Sequence, residues 1–140
     1  MLNSQLSHIC FSALDLGATE NFYVNSLGFR VIHKFINNDE EIYGLIFDVG
    51  NSTFLEFFKS DYIPNDSTIF RHFCIAVSDL KKLITQLNSR NISCELTRGK
   101  TDNTMQTWIT DPNGIKIEFH QYDAFSTLSA YIDLNQRRLK

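Results

Sequence analysis

An internal repeat restricts the fold of this chain more than any other feature of its sequence. Residues 8–16 have the pattern H-x-C-apolar-x-x-x-D-L, and the same pattern returns in residues 72–80, at an offset of 64. Two further matches follow in the same order, at offsets of 63 and 62: Asn25-Ser26 with Asn88-Ser89, and Glu56-Phe57 with Glu118-Phe119. An offset that falls by one at a time is expected when loops differ in length between two copies. The chain is therefore interpreted as two copies of one module, residues 5–62 and 67–123.

Each copy predicts the element order βαβββ, which makes the fold class α+β. The apolar runs at 8–13 and 72–77 are typical of short strands. Helices are predicted over 15–26 and 79–90, because an Asp at the start of each segment can cap the first helical turn. The strands predicted after the helices cover 29–36, 42–48 and 53–58 in the first copy and 93–97, 105–110 and 115–121 in the second.

A turn and a terminal segment complete this prediction. Residues 111–114, D-P-N-G, are a strong hairpin signal. Residues 124–134 predict a C-terminal helix with Phe125, Leu128 and Ile132 on one face. This helix is expected to pack onto the sheet, with a dimer contact or a lid over a site as alternatives. The whole chain is thus interpreted as one domain built from two modules.

The composition indicates a cytosolic globular protein. The chain has 140 residues, 43% of them hydrophobic, and a formal net charge of -3, so it is neither disordered nor basic enough for a nucleic-acid binder. No apolar run approaches the roughly 18 residues that span a membrane, and the N-terminus lacks the regions of a signal peptide. Its three cysteines lack a CxxC spacing, which indicates a reducing compartment. We therefore expect a cytoplasmic protein with no nucleic-acid or membrane partner.

The repeated histidines and glutamates are the candidate metal ligands. Alternation along a strand puts His8 on the same face as Cys10, and the second copy repeats this arrangement. Glu56 interrupts an otherwise apolar strand, where a carboxylate is costly to bury unless a cation or donor meets it. A pseudo-twofold axis relating the modules would bring together two imidazoles and two carboxylates, a set that suits Ni, Co, Zn, Mn or Fe. The predicted ligands are His8, Glu56, His72 and Glu118.

Other polar residues are given less specific roles. Cys10 and Cys74 share the face of the histidines and are expected to be small buried fillers rather than extra ligands. His120 lies two residues beyond Glu118 on the same face, either supporting the site or simply exposed, and His33 is expected to be superficial. Three basic residues are interpreted as surface charges, with binding of an anionic substrate as the alternative: Arg71, Arg98 and Lys100.

Two longer motifs resemble those of a known family. Residues 111–118, D-P-N-G-I-K-I-E, are similar to the pattern D-P-x-G-x-x-I-E, and N-F-Y at 21–23 with L-G-F at 27–29 resembles F-Y…L-G-F. Both patterns are those of the vicinal oxygen chelate superfamily. Within it the chain most resembles bacterial-type glyoxalase I (lactoylglutathione lyase), over about residues 5–123. The resemblance implies two modules that form a half-open barrel around a central metal site, commonly in a homodimer. It implies the same four metal ligands: His8, Glu56, His72 and Glu118.

The resemblance also implies a function. Enzymes of this type are lyases or isomerases that hold one divalent ion and shuttle a proton through an enediolate of a hemithioacetal or related small carbonyl substrate. Glu118 would be the leading base, with Glu56 as a ligand and a possible second base. The short chain favours Ni or Co, and Zn, Mn and Fe stay open. Residues 11–15, F-S-A-L-D, replace the L-R-V-x-D that helps glyoxalases to bind glutathione, so the thiol of the substrate adduct is left open.

Three alternatives stay open within the same superfamily. They are an extradiol-type dioxygenase, an epoxide-opening thiol transferase and a non-catalytic drug-binding module of the bleomycin-resistance kind. The dioxygenase needs open metal positions, one of which Glu56 would occupy. The binding module generally lacks the metal ligands that this chain keeps.

Overall fold

The computed structural model describes residues 4–63 and 70–132. The chain separates into two compact units. Unit 1 consists of the first half of the chain, up to residue 69, together with the turn Asp111–Gly114. Unit 2 consists of residues 70–110 and of the chain from residue 115 onward. The predicted α+β class is confirmed, with two separate four-stranded sheets, each of them open.

Unit 1 has the predicted order βαβββ. Its elements are β1 (His8–Ala13), α1 (Leu16–Asn21), a π-helical turn (Phe22–Ser26), β2 (Arg30–Ile36), β3 (Ile42–Gly50) and β4 (Thr53–Lys59). The strands lie in the order β1-β4-β3-β2, and β1 runs parallel to β4 while the other neighbours are antiparallel. The strand bounds agree with the prediction to within two residues.

The helical segment of unit 1 begins after the capping residue Asp15 and is followed by Gly28. Oδ1 of Asp15 accepts a hydrogen bond from the backbone N–H of Ala18 (2.9 Å). The last turn, Phe22–Ser26, is π-helical, and Tyr23 within it is fully buried. The chain then leaves the helix through Gly28, whose φ of +78° would strain a residue with a side chain.

Unit 2 repeats the same order with shorter strands. Its elements are β5 (Phe73–Ala76), α2 (Leu80–Ser89), β6 (Thr97–Arg98), β7 (Met105–Thr110) and β8 (Lys116–Gln121). The strands lie in the order β5-β8-β7-β6, with β5 parallel to β8. Asp79 caps α2 by accepting a hydrogen bond from the backbone N–H of Lys82 (2.9 Å). In the described part of the chain, the helices are too short or too polar to cross a membrane.

The strand predicted over residues 93–97 is wrong. Only Thr97–Arg98 pairs with β7. The side chain of Asn88 satisfies the backbone of Cys94 instead: its Nδ2 donates to the Cys94 carbonyl (3.1 Å), and its Oδ1 accepts from the Cys94 N–H (3.0 Å). Because one amide meets both backbone groups, this segment needs no partner strand at Cys94.

The C-terminal segment begins with turns and becomes helical later. The prediction of a helix over 124–134 is wrong for its first part, because helical structure begins at residue 129, and its last two residues lie outside the described part of the chain. The carboxylate of Asp123 stabilises the turns by accepting hydrogen bonds from the backbone N–H of Phe125 (3.0 Å) and the hydroxyl of Ser126 (3.1 Å). Phe125 is 74% exposed, so its expected packing onto the sheet is also wrong.

Each unit has an apolar core to which its helix contributes. In unit 1, Tyr23 packs against Phe47 and Phe57, with ring centroids 5.2 and 5.0 Å away. In unit 2, the buried apolar residues include Leu80 and Leu87 of α2 and Ile117 and Phe119 of β8. Because strand side chains alternate, these core positions direct the intervening residues of β8 to the opposite face of the sheet.

A buried polar contact accompanies the core of unit 1. The Tyr23 hydroxyl donates to Oδ2 of Asp111 (3.0 Å), and Nδ2 of Asn113 donates to the same oxygen (3.0 Å). Nδ2 of Asn113 also donates to the Thr19 hydroxyl (3.0 Å). Burial, followed by the negative charge of Asp111, raises the pKa of Tyr23, so the phenol keeps its proton and remains a donor. The D-P-N-G turn is thereby part of the polar core of unit 1.

Removal of the Tyr23 hydroxyl should destabilise the protein. Tyr23→Phe leaves the buried carboxylate of Asp111 with one hydrogen bond fewer, and we expect a loss of about 1–3 kcal/mol in the free energy of unfolding. Urea denaturation measures this loss. Tyr43→Phe, at an exposed tyrosine of the same unit, is the control and should change the midpoint little. Equal midpoints for the two variants would contradict the role given to Tyr23.

Candidate metal centre

The pairing of the first and last strands decides which side chains meet in each unit. β1 lies parallel to β4 with Cys10 opposite Glu56, and β5 lies parallel to β8 with Cys74 opposite Glu118. Alternate residues of a strand share a face, so the histidine two positions before each cysteine lies on the same face as the glutamate. The register therefore brings each predicted His/Glu pair together within its own unit.

The His/Glu pair of unit 2 is closely packed. Nε2 of His72 lies 3.2 Å from Oε2 of Glu118. The Glu118 side chain is only 9% exposed, whereas that of His72 is 36% exposed. A buried carboxylate beside an imidazole is compensated either by a proton on the ring or by a cation that both groups bind. This pair can therefore share either a proton or a bound cation.

The equivalent pair of unit 1 is more open. Nε2 of His8 lies 4.0 Å from Oε2 of Glu56, and the two side chains are 54% and 18% exposed. The neighbours of Glu56 on the same face of β4 are Phe54 and Phe58, both apolar. The His/Glu pair of unit 1 is thus more widely spaced and more exposed than that of unit 2.

Two residues of β7, which the sequence analysis did not assign to the site, support Glu118. With the amide nitrogen of Gln106 turned toward Glu118, it donates to Oε1 (2.7 Å), and the amide oxygen accepts from the indole N–H of Trp108 (3.3 Å). The Trp108 ring meets His72 edge to face, with centroids 4.8 Å apart. The contact of Trp108 could have been predicted from the sequence. The hairpin turn at 111–114 sets the register of β7 and β8, and this register places Trp108 opposite Glu118.

His120 is buried and contacts Glu118, so the alternative of a simply exposed residue is wrong. Its Nε2 lies 2.8 Å from Oε1 of Glu118. A second carboxylate oxygen, Oδ2 of Asp102, lies 3.7 Å from the same nitrogen. Among the described residues, neither ring nitrogen of His120 has a hydrogen-bond partner of acceptable geometry. Glu118 thus lies between two imidazoles, with His72 at one carboxylate oxygen and His120 at the other.

Cys10 and Cys74 are exposed, so the prediction that they are buried fillers is wrong. Strand alternation gives the buried position in β5 to the neighbouring Phe73, and Cys74 is left on the face of the histidines. Partial burial, followed by the negative charges of Glu118 and Asp102, raises the pKa of the Cys74 thiol to about 12. Cys74 is therefore a neutral thiol at neutral pH.

The basic residues considered for an anionic substrate are surface residues. Nη2 of Arg98 lies 2.6 Å from Oδ2 of Asp123, and its Nη1 donates to the carbonyl of Asn103 (2.6 Å). The hydrogen bond from Arg98 lowers the pKa of Asp123 to about 2. Arg71 and Lys100 are exposed. The cation of Arg98 is thus already paired within unit 2.

The donors that meet in unit 2 fit a divalent cation. Ligand atoms about 2.0–2.2 Å from one ion lie about 3 Å apart when they bind at right angles. The distances from Glu118 to His72 (3.2 Å) and to His120 (2.8 Å) agree with this spacing. Imidazole and carboxylate together suit several borderline divalent ions. His8 and Glu56 offer the same donor types in unit 1.

Comparison with known proteins identifies the family. The profile of the Glyoxalase/Bleomycin resistance protein/Dioxygenase superfamily matches residues 5–119. This match covers most of the chain and reaches into both sheets, so the protein belongs to this superfamily. The resemblance inferred from the sequence motifs is confirmed.

Several relatives share the fold. The glyoxalase family protein from Enterococcus faecalis is 30% identical, with a TM-score of 0.72 over 86% of this chain and 99% of that chain. Lactoylglutathione lyase from Agrobacterium tumefaciens is 22% identical, with a TM-score of 0.65 over 84% of this chain and 93% of that chain. The uncharacterized protein YaeR of Escherichia coli (strain K12) is 23% identical over 123 residues, which cover 84% of this chain and 95% of YaeR. These likenesses establish the fold and leave the reaction open.

The contact between Trp108 and His72 predicts an optical signal for metal binding. Trp108 is the single tryptophan of the chain, so all tryptophan fluorescence reports on this position. An open-shell Co²⁺ ion bound by His72 should quench the fluorescence strongly, and closed-shell Zn²⁺ should quench it less. At the first equivalent of Co²⁺, His72→Ala should weaken the quenching, whereas His33→Ala, at a histidine that is exposed as predicted, should leave it unchanged. Equal quenching in both variants would show that the ion does not bind at His72.

Proposed function

We propose that this protein is a divalent-metal-dependent lyase or isomerase of the glyoxalase I type. Its substrate is a hemithioacetal or related small carbonyl compound in which a proton moves between adjacent carbon atoms. The observation that carries the proposal is the duplicated His/Glu pair on equivalent strands, His8 with Glu56 and His72 with Glu118. Polar pairs that interrupt apolar strands at matched positions break the local pattern, and such breaks concentrate at functional sites.

The proposal includes one ion held by all four residues, within one chain or across a homodimer. Two imidazoles and two carboxylates would hold the ion, and this donor set suits several borderline divalent metals. The ion, when bound, supplies Lewis-acid stabilisation of the negative charge that develops on a carbonyl oxygen. Ni and Co are the favoured ions, and the same donors accept Zn, Mn or Fe. The proposed ligands are His8, Glu56, His72 and Glu118.

Glu118 is the proposed leading base. Its carboxylate contacts His72 through one oxygen, and His120 and Gln106 through the other. Contacts at both oxygens fix the orientation of the carboxylate, which reduces the entropy lost in reaching a substrate C–H. Glu118 removes the proton from one carbon and returns it to the next.

Glu56 is proposed as a ligand and second base on an apolar surface. Its contact with His8 is longer than the corresponding contact in unit 2. Beyond it on the sheet face, the rings of Phe35 and Phe58 lie over Gly44, where an added Cβ would come within 2.9 and 2.6 Å of them. Glycine is therefore required beneath these rings. This aromatic surface favours a substrate with an apolar group.

Elemental analysis tests the metal centre. After stripping and exposure to Ni²⁺, Co²⁺, Zn²⁺, Mn²⁺ or Fe²⁺, we expect about one tightly bound ion per chain. His8→Ala and His72→Ala should each lower the affinity by at least about 100-fold, because losing a ligand costs more than losing an outer contact to one. His33→Ala is the control. Absence of a tight ion from the wild-type protein would contradict the proposal and favour the drug-binding module.

Substitution of Glu118 tests the base. Glu118→Gln should lower kcat on hemithioacetals of 2-oxoaldehydes about 100- to 10,000-fold, because an amide does not accept the proton. The bound metal should remain, since the amide oxygen can still act as a ligand. Several small thiols are used to form the hemithioacetals, and Glu56→Gln should have the smaller effect. An unchanged kcat in Glu118→Gln, with full metal content, would show that another group is the base.

A further inference from the structure

The contact between His120 and Glu118 lacks the geometry of a hydrogen bond. Nε2 of His120 and Oε1 of Glu118 are 2.8 Å apart, yet the ring N–H direction is not aligned with the oxygen. Both side chains are only 9% exposed, and buried polar atoms without partners are costly. Oε1 of Glu118 accepts a hydrogen bond from Gln106, whereas Nε2 of His120 has no such partner among the described residues. The His120 nitrogen therefore calls for a further partner close to that oxygen.

A cation is the group that this geometry fits. Two atoms that bind one ion direct their lone pairs at the ion rather than at each other, and they lie about 3 Å apart. A proton shared between His120 and Glu118 would instead require the N–H to point at the oxygen. The observed short and misaligned contact has the spacing of two neighbouring ligands.

Cys74 supplies a third donor at the same place. Its Sγ, a carboxylate oxygen of Glu118 and a ring nitrogen of His120 all lie within 4.8 Å of one another. The strand register accounts for this, because β5 places Cys74 opposite Glu118 and Ala76 opposite His120. Asp102 adds a carboxylate oxygen 3.7 Å from Nε2 of His120. A thiol, an imidazole and carboxylate oxygens thus converge within unit 2.

We propose that Cys74, Glu118 and His120 form a second cation position, on the side of Glu118 away from His72. Thiolate, imidazole and carboxylate together suit Zn²⁺ or Co²⁺. Binding replaces the S–H bond of Cys74 by a sulfur–metal bond and releases the proton to solvent. This inference goes beyond the proposed function, since all three donors belong to unit 2 and need neither His8 nor Glu56. Glu118 would be a ligand common to the two positions.

Unit 1 contains a natural control for this site. It has Cys10 opposite Glu56, but Phe58 occupies the position that His120 has in unit 2. A phenyl ring lacks the lone pair that His120 offers. Cys10→Ser is therefore the matched control for Cys74→Ser, and His120→Phe gives unit 2 the residue found in unit 1.

Titration with Co²⁺ tests the second position. In the wild-type protein, beyond the one tightly bound ion, we expect a second and weaker equivalent of Co²⁺ that brings a thiolate-to-cobalt charge-transfer band in the near ultraviolet. Cys74→Ser and His120→Phe should lose both, whereas Cys10→Ser and His8→Ala should retain the band. Added Zn²⁺ should displace the Co²⁺ and remove the band.

Three results would overturn the inference: no thiolate band in the wild type, a band that persists in Cys74→Ser, or a second equivalent that survives in His120→Phe. Cys74 is exposed, so Cys74→Ser leaves the core undisturbed, and the urea midpoint verifies that His120→Phe is folded. A first ion without the thiolate band would overturn only the second position. A thiolate band, with first-ion binding unaffected by His8→Ala and His72→Ala, would overturn only the four-ligand centre.

Discussion

The parallel pairing of the first and last strands is the constraint on which each unit depends. Parallel neighbours cannot be joined by a short hairpin, so a helix and two further strands separate β1 from β4 and β5 from β8. The register of this pairing sets each cysteine opposite a glutamate, with the histidine on the same face. A slip of one residue would turn the glutamate toward the apolar core and separate it from its histidine.

The two units use the same register to build different surroundings for the repeated glutamate. Glu118 contacts His72, His120 and Gln106, and its side chain is nearly inaccessible. Glu56 has a longer contact to its histidine and phenylalanines beside it on the strand. The two units share the strand pairing and differ at single positions. His120 of unit 2 is a polar donor beside Glu118, whereas Phe58 at the equivalent position of unit 1 gives Glu56 an apolar neighbour.

Local sequence signals predicted most elements of the fold and missed those that depend on a particular side-chain contact or on burial. The helix starts at Asp15 and Asp79 were predictable because capping depends on residues within one turn. The strand expected at 93–97 was not formed, because the side chain of Asn88 satisfies the backbone of Cys94. The exposure of Cys74 was also missed, since a residue type common in cores gives no sign of which face of a sheet is covered.

The sequence by itself determined the duplication, the βαβββ order of each unit and the faces shared by the histidines and glutamates. The duplication follows from the repeated motifs. The element order and the shared faces follow from capping residues and from periodicities of two and 3.6 residues along the chain, which are local. Only the tertiary structure decided that His120 is buried against Glu118 and that Cys74 lies within reach of both. Cys74 is far from Glu118 and His120 in the chain, so its contacts depend on how β5 and β8 pair. The burial of His120 depends on which side chains the rest of unit 2 withdraws from water.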